Sequence, residues 1–357
     1  MIMSSATKAL LDLLKVDLPI IQAPMAGTSS PEMAAAVSNA GGLGSIGVAA
    51  MAADAAGRAI AGVRERSNRA FNVNVFCHRP ATPDAGVEAR WIEKLRPAFT
   101  RFGAEPPRQL TEIYRSFVID DAMLAMLLRE KPSIVSFHFG LPGEDRIRAL
   151  RDAGIVLLGS ATNLADAQAL VAAGVQAIVA QGYEAGGHRG VFETDAADDR
   201  LGTMALTRVL ARNLDVPVIA AGGIMDGAGI KAALDLGAAA AQLGTAFVAT
   251  DESLADAGYR AALMSDAAHH TVMTAAISGR PARCLANLFT KLGATVDPAE
   301  IPSYPITYDA GKALNAAAKA KGEFGFGAQW AGQGAPLARA MPAAKLVATL
   351  AAELDQA

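Results

Sequence analysis

The chain has 357 residues, 52% hydrophobic and 19% charged, which is enough apolar material for a large core and excludes a disordered chain. Lys plus Arg number 32 and Asp plus Glu 35, a net charge of −3 without the basic excess of a nucleic-acid binder. No apolar run reaches the ~18 residues of a membrane span, residues 1–14 lack the small-residue cleavage pattern of a secretory leader, and Cys77 and Cys284 stand alone, so a reducing, cytoplasmic setting is expected.

In chain order, one unit recurs: a helical segment ends in a small residue and glycine, and a short apolar strand follows. It is seen at Asn39-Ala40-Gly41-Gly42, Asp152-Ala153-Gly154, Ala172-Ala173-Gly174 and, more loosely, Leu236-Gly237-Ala238. Glycine suits the position just past a helix end because it tolerates the left-handed conformation. Eight strands are predicted, at 19–23, 43–48, 71–76, 133–137, 155–159, 177–181, 216–220 and 239–243. Most are continuously apolar, as strands buried on both faces are. The pattern predicts an α/β fold, a (β/α)8 TIM-type barrel; a doubly wound open sheet competes on pattern alone. Gly42-Leu43-Gly44-Ser45-Ile46-Gly47 spells G-x-G-x-x-G but follows the helical segment 31–40 and forms strand two itself, so it is not a dinucleotide fingerprint.

Two stretches break the rhythm. Residues 79–116, rich in proline and charge with a helix near 86–102, read as an insertion after strand three, and 303–336 form a second long excursion. Such excursions in a compact fold tend to be functional lids. Residues 341–354 read as an amphipathic helix able to dock on the barrel. The expected organisation is a barrel over 1–250 that includes the insertion, and a C-terminal helical capping segment over 251–357 that completes the active site.

Predicted strand seven ends in Ala220-Ala221-Gly222-Gly223-Ile224 and strand eight in Gln242-Leu243-Gly244-Thr245. In a barrel these two loops commonly hold a phosphate, because glycines let backbone N–H groups approach its oxygens; ordinary tight turns are the alternative. Gln181-Gly182-Tyr183-Glu184-Ala185-Gly186-Gly187-His188-Arg189-Gly190 leaves strand six with His188 among glycines. A histidine there suits a general base, and one that only hydrogen-bonds loop backbone fits equally. His138, in Ser136-Phe137-His138-Phe139-Gly140, is alone more often structural. His78, His269 and His270 have no partners at metal-ligand spacing, so no metal is predicted. Tyr304, Tyr308 and Lys312 are spaced by four, and a helix over 307–320 would place Tyr308 and Lys312 on one face. Their donors suit a small anion; a surface helix with packing tyrosines is the alternative.

Taken together, residues 22–27, 41–44, 135–142, 181–190, 221–224, 242–245, Gly279-Arg280-Pro281-Ala282-Arg283 and 304–312 resemble the class I nitronate monooxygenases, formerly called 2-nitropropane dioxygenases. The resemblance implies a TIM-type barrel carrying non-covalent FMN. Gly222, Gly223 and the loop of Gln242, Leu243, Gly244 and Thr245 would hold its phosphate; Ala23, Met25, Asn74, Gln181 and Gly186 would contact the ribityl chain and ring. His188 matches the family's catalytic histidine, with His138, Tyr304, Tyr308 and Lys312 on the substrate side. The implied reaction is oxidation of alkyl nitronates such as propionate 3-nitronate by O2 to a carbonyl compound and nitrite. His188 would serve as an imidazolium that stabilises the negative oxygens, or as an imidazole that takes the α-proton of a neutral nitroalkane. The expected partners are nitronate and O2, without nucleic acid or membrane, on a monomer or homodimer. Alternatives are an NAD(P)H-dependent FMN reductase of quinones or enoyl thioesters on the same barrel, and a flavin- or phosphate-binding barrel acting as a sensor or store.

Overall fold

Among the described residues eleven strands form: β1 (Ile20–Gln22), β2 (Gly44–Gly47), β3 (Phe71–Phe76), β4 (Ile134–His138), β5 (Val156–Ala161), β6 (Ala177–Gln181), β7 (Gly187–His188), β8 (Val218–Ala221), β9 (Ala240–Leu243), β10 (Thr271–Thr274) and β11 (Ala282–Leu285). These come from a computed structural model that describes residues 4–357; residues 1–3 of the expected barrel unit lie outside the described residues. Eight strands run parallel in the order β1-β9-β8-β6-β5-β4-β3-β2, each within two residues of its predicted span.

The two end strands also meet. Gln22 N–H donates to Leu43 C=O at 2.9 Å and Leu43 N–H to Ile20 C=O at 3.0 Å, a parallel bridge that closes the ring. An open sheet would have left β1 and β2 as bare edges, so the barrel expectation holds and the doubly wound alternative falls. The G-x-G-x-x-G string is indeed β2. A side chain at Gly44 would put its Cβ 1.9 Å from Ala34 C=O, so that glycine serves the packing of helix Pro31–Asn39 on the strand.

Helix Ser5–Leu14 seals the N-terminal end of the barrel. Its Leu10, Leu11 and Leu14 pack with Ile21, Leu43, Ile134, Leu158, Val179 and Ile219. With that end filled, a ligand can enter only where the strands end, the usual active face of such barrels. Over this face lie helices Ala85–Arg101 and Ile306–Lys319, joined through Trp91, Leu95, Phe99, Ile306 and Leu314. Asp309 Oδ2 adds a link, accepting from Thr111 N–H at 2.9 Å and Oγ1–H at 3.0 Å. The antiparallel sheet β10-β11-β7, absent from the pattern reading, stands beside them. The last helix, Ala343–Gln356, returns to the outside of the barrel. Leu346, Val347 and Leu350 are buried against Met33, Val37 and Ile230, each burial contributing ~1.5–3 kcal/mol.

Candidate active site

A cavity of about 380 Å³ opens at the C-terminal end of the strands, within the ~300–1,000 Å³ common to ligand and cofactor sites. Strand alternation decides which side chains reach it. Ala23, Met25, Asn74, His138, Gln181, Gly186, His188, Gly222, Gly223, Gln242, Gly244, Thr245, Tyr304, Tyr308 and Lys312 all line it. Leu243 does not. It follows inward-facing Gln242, so its side chain points outward into the core with Ile20, Met33 and Phe247.

The loop carrying His188 is pinned on several sides. Gln181 Nε2 donates to His188 C=O at 3.0 Å, and Gln181 Oε1 accepts from Gly190 N–H at 2.7 Å. Both ends of that amide are therefore committed to the loop. Arg189, buried, grips Asp198 in a fork of 2.8 and 2.9 Å and reaches Gln181 C=O at 2.6 Å. Arg283 Nη2 donates to Tyr183 C=O at 2.9 Å. β7 pairs with β11, with His188 opposite Ala282. The imidazole is thereby walled by Trp330, Tyr304 and Phe139, at centroid distances of 5.0, 5.4 and 5.6 Å. His138 lines the cavity, and its Nε2 lies 3.3 Å from His188 C=O.

The electrostatics favour a neutral imidazole and bound anions. Burial first, then His138, Arg280 and His78, push His188 down to about 3. Of the two states expected for His188, this environment favours the neutral imidazole. Burial likewise brings His138 to about 4, raises Tyr308 to about 12, and lifts Tyr304 well above the usual phenol range. Both phenols therefore remain O–H donors. Lys312 is the one cationic side chain among the lining residues, its Nζ 4.7 Å from the Tyr114 ring centroid and 5.3 Å from that of Tyr308. The one lining carboxylate, Asp256, is held at 2.9 Å by Lys319.

The β8 and β9 loops fit the phosphate end of a flavin. Gly222 and Gly223 have φ of 125° and 73°, conformations that favour glycine. A Cβ at Gly222 would stand 2.7 Å from Thr203 Oγ1. Among the described residues, the backbone N–H groups of Gly223, Gly244 and Thr245 donate to no protein acceptor. Asn74 contributes an amide from β3, its Nδ2 held by Ser136 Oγ at 2.9 Å. Sequence reasoning missed Tyr114, Tyr259, Trp330 and Ser278. The first three line the cavity, and Ser278 stands behind His188. Their one signal was the presence of Tyr114 and Trp330 within the two long excursions.

Known proteins are similar to this chain in sequence and in fold. Residues 7–353 match the family described as nitronate monooxygenase. A nitronate monooxygenase of Paraburkholderia phytofirmans is 65% identical, covering 98% of this chain and 95% of its own. One of Pseudomonas aeruginosa is 54% identical, covering 96% and 97%. The solved nitroalkane oxidase of Streptomyces ansochromogenes superposes with a TM-score of 0.87 at 40% identity, covering 98% of both chains. FabK from Thermotoga maritima follows at 0.75 and 29%, covering 98% of this chain and 96% of its own. A sealed barrel with glycine loops at one end, a neutral histidine over the cavity and full-length kinship at this level lead to one conclusion: this chain belongs to the nitronate monooxygenase family, flavin-dependent oxidoreductases that oxidise nitronates.

Proposed function

We propose that the cavity binds FMN, phosphate toward Gly222, Gly223, Gly244 and Thr245, and that the enzyme converts alkyl nitronates such as propionate 3-nitronate, with O2, to a carbonyl compound and nitrite. The observation that carries the reading is the convergence, in one cavity, of two glycine loops with free N–H groups, neutral His188, and the donors Tyr304, Tyr308 and Lys312. When bound, the flavin supplies the electron-accepting and oxygen-handling chemistry. The residues supply the rest. Lys312 and the two phenols hold the negative nitro oxygens. A nitronate already carries the carbanion charge, so no carbon proton has to leave it. With a neutral nitroalkane, the α C–H bond breaks and its proton passes to the His188 imidazole. Trp330 and Phe139 keep water from that side of the ring.

In this reading residues 1–250, with the 79–116 insertion, form the flavin-binding barrel and 251–357 cap it, while the last helix returns to the barrel's outer ring. The free, buried state of Cys77 and Cys284 supports a cytoplasmic protein; a monomer or homodimer is proposed.

The test is aerobic oxygen uptake with nitrite release on propionate 3-nitronate, beside anaerobic mixing of the yellow protein with NADH. Stoichiometric nitrite with slow bleaching is expected; fast bleaching without nitrite would establish the reductase instead. His188→Asn should lower nitroalkane turnover by ~10²–10⁴-fold, the range for loss of a general base, and nitronate turnover by much less. An equal fall with both substrates refutes the base role.

A further inference from the structure

Ser278 sits in the turn between β10 and β11, fully buried. Its hydroxyl is shared among three groups: His188 Nε2 at 2.9 Å, Arg280 C=O at 3.1 Å and Arg280 N–H at 3.4 Å. A serine hydroxyl has one proton. If it goes to His188, the buried Arg280 carbonyl loses its hydrogen-bond donor. If it goes to the carbonyl, Oγ accepts from His188 Nε2–H and from Arg280 N–H, and all three groups are satisfied. Buried polar groups strongly favour the satisfied arrangement. Nε2 then carries the imidazole proton. Nδ1 makes no hydrogen bond to the protein among the described residues, and it is absent from the closed-off polar atoms. Its lone pair is the one open to the cavity that the ring lines.

The rest of the loop leaves this job to Ser278. Gln181 and the β11 ladder fix the His188 backbone, and Trp330, Tyr304 and Phe139 wedge the ring without bonding either nitrogen. We propose that Ser278 is a positioning residue, which holds His188 as the Nε2–H tautomer and turns Nδ1 toward the substrate's α-carbon. This rests on the reading of His188 as the base. In the step, the α C–H bond breaks, its electron pair stays on the nitronate, and the proton joins Nδ1. The resulting imidazolium donates from Nε2 to Ser278 Oγ, already oriented to accept because its own proton is on the Arg280 carbonyl. A preset partner of this kind lowers the reorganisation required as charge develops.

The experiment is ¹⁵N NMR of histidine-labelled yellow holoenzyme, with kinetics of Ser278→Ala and Ser278→Thr. The wild type is expected to show His188 protonated at Nε2 and bare at Nδ1. Ser278→Ala should mix the tautomers and lower kcat for nitroethane by ~10–100-fold, the usual loss for a group that orients a reacting side chain, with KM little changed and a smaller loss for nitronate. Ser278→Thr, which keeps the hydroxyl, should regain most of the rate. An Nδ1–H tautomer in the wild type overturns the proposal, and this holds even if neither variant folds. Unchanged tautomer and rate in Ser278→Ala overturn it too. Failure of the base reading is told apart by His188→Asn: nitroalkane turnover that survives it refutes the base, while the NMR signal still reports what Ser278 fixes.

Discussion

Gly186 marks the point where the His188 loop meets the cap, and Gly186→Ala tests that contact. A Cβ there would stand 2.5 Å from Gly332 N, 2.7 Å from Ala331 C and 3.0 Å from Ala331 Cα, all backbone atoms. Gly186 is not among the residues with positive φ, so alanine adopts its conformation freely and the cost is steric. Ordinary contact begins near ~3.5 Å, so residues 331–332 must retreat by about 1 Å. Two hydrogen bonds ride on that segment: Gly332 N–H to Thr245 Oγ1 at 3.0 Å and Gln333 N–H to Glu184 C=O at 2.9 Å. At about 1 kcal/mol net for each, their loss comes to about 2 kcal/mol. That corresponds to ~30-fold weaker binding of a ligand that needs the segment in place. It also corresponds to about 3 °C in Tm for a chain of this length. The assay is titration of the apoprotein with FMN followed by flavin fluorescence, beside thermal unfolding. A Kd within about twofold of wild type, together with an unchanged Tm, would show that the cap does not pack on this loop in solution.

Two further perturbations probe the charges. Arg280 is buried, with no carboxylate partner among the described residues, its Cζ 4.3 Å from the Phe139 centroid, and the Phe139 ring is 5.6 Å from that of His188. A unit charge within ~10 Å at an effective dielectric of ~20 amounts to ~1.7 kcal/mol, about one pH unit. Arg280→Met should therefore raise His188 and His138 by about that much. The sign follows from repulsion: the guanidinium disfavours protonation, so without it the neutral imidazole, and with it nitroalkane turnover, is lost at a higher pH on acidification. Histidine NMR titration reads the shift, and unmoved histidines would refute it. Lys312→Met should raise KM for propionate 3-nitronate by ~10-fold with kcat less affected, because one charge-assisted contact to an anion is removed. An equal rise with neutral nitroalkanes would show that Lys312 acts through packing.

Local chemistry was enough to locate the eight barrel strands, because an apolar run between a glycine-ended helix and a polar turn has few other uses, but not β7, β10 and β11, which lack such runs. It also identified β2 despite its glycine spacing, and placed His188 and both glycine loops at strand ends. Closure of the barrel was beyond it: residues 20–22 and 43 are brought together only when all eight strands share one tilt. The outward turn of Leu243 was likewise hidden, since alternation defines two faces but not which one turns inward. The partners of His188 come from distant stretches: Ser278 and Trp330 from segments after the barrel strands, Phe139 from the turn that follows β4, Tyr304 from the cap. Its neutral state is a property of that assembly, because desolvation depends on what surrounds a ring in space and leaves no mark on its neighbours in the chain.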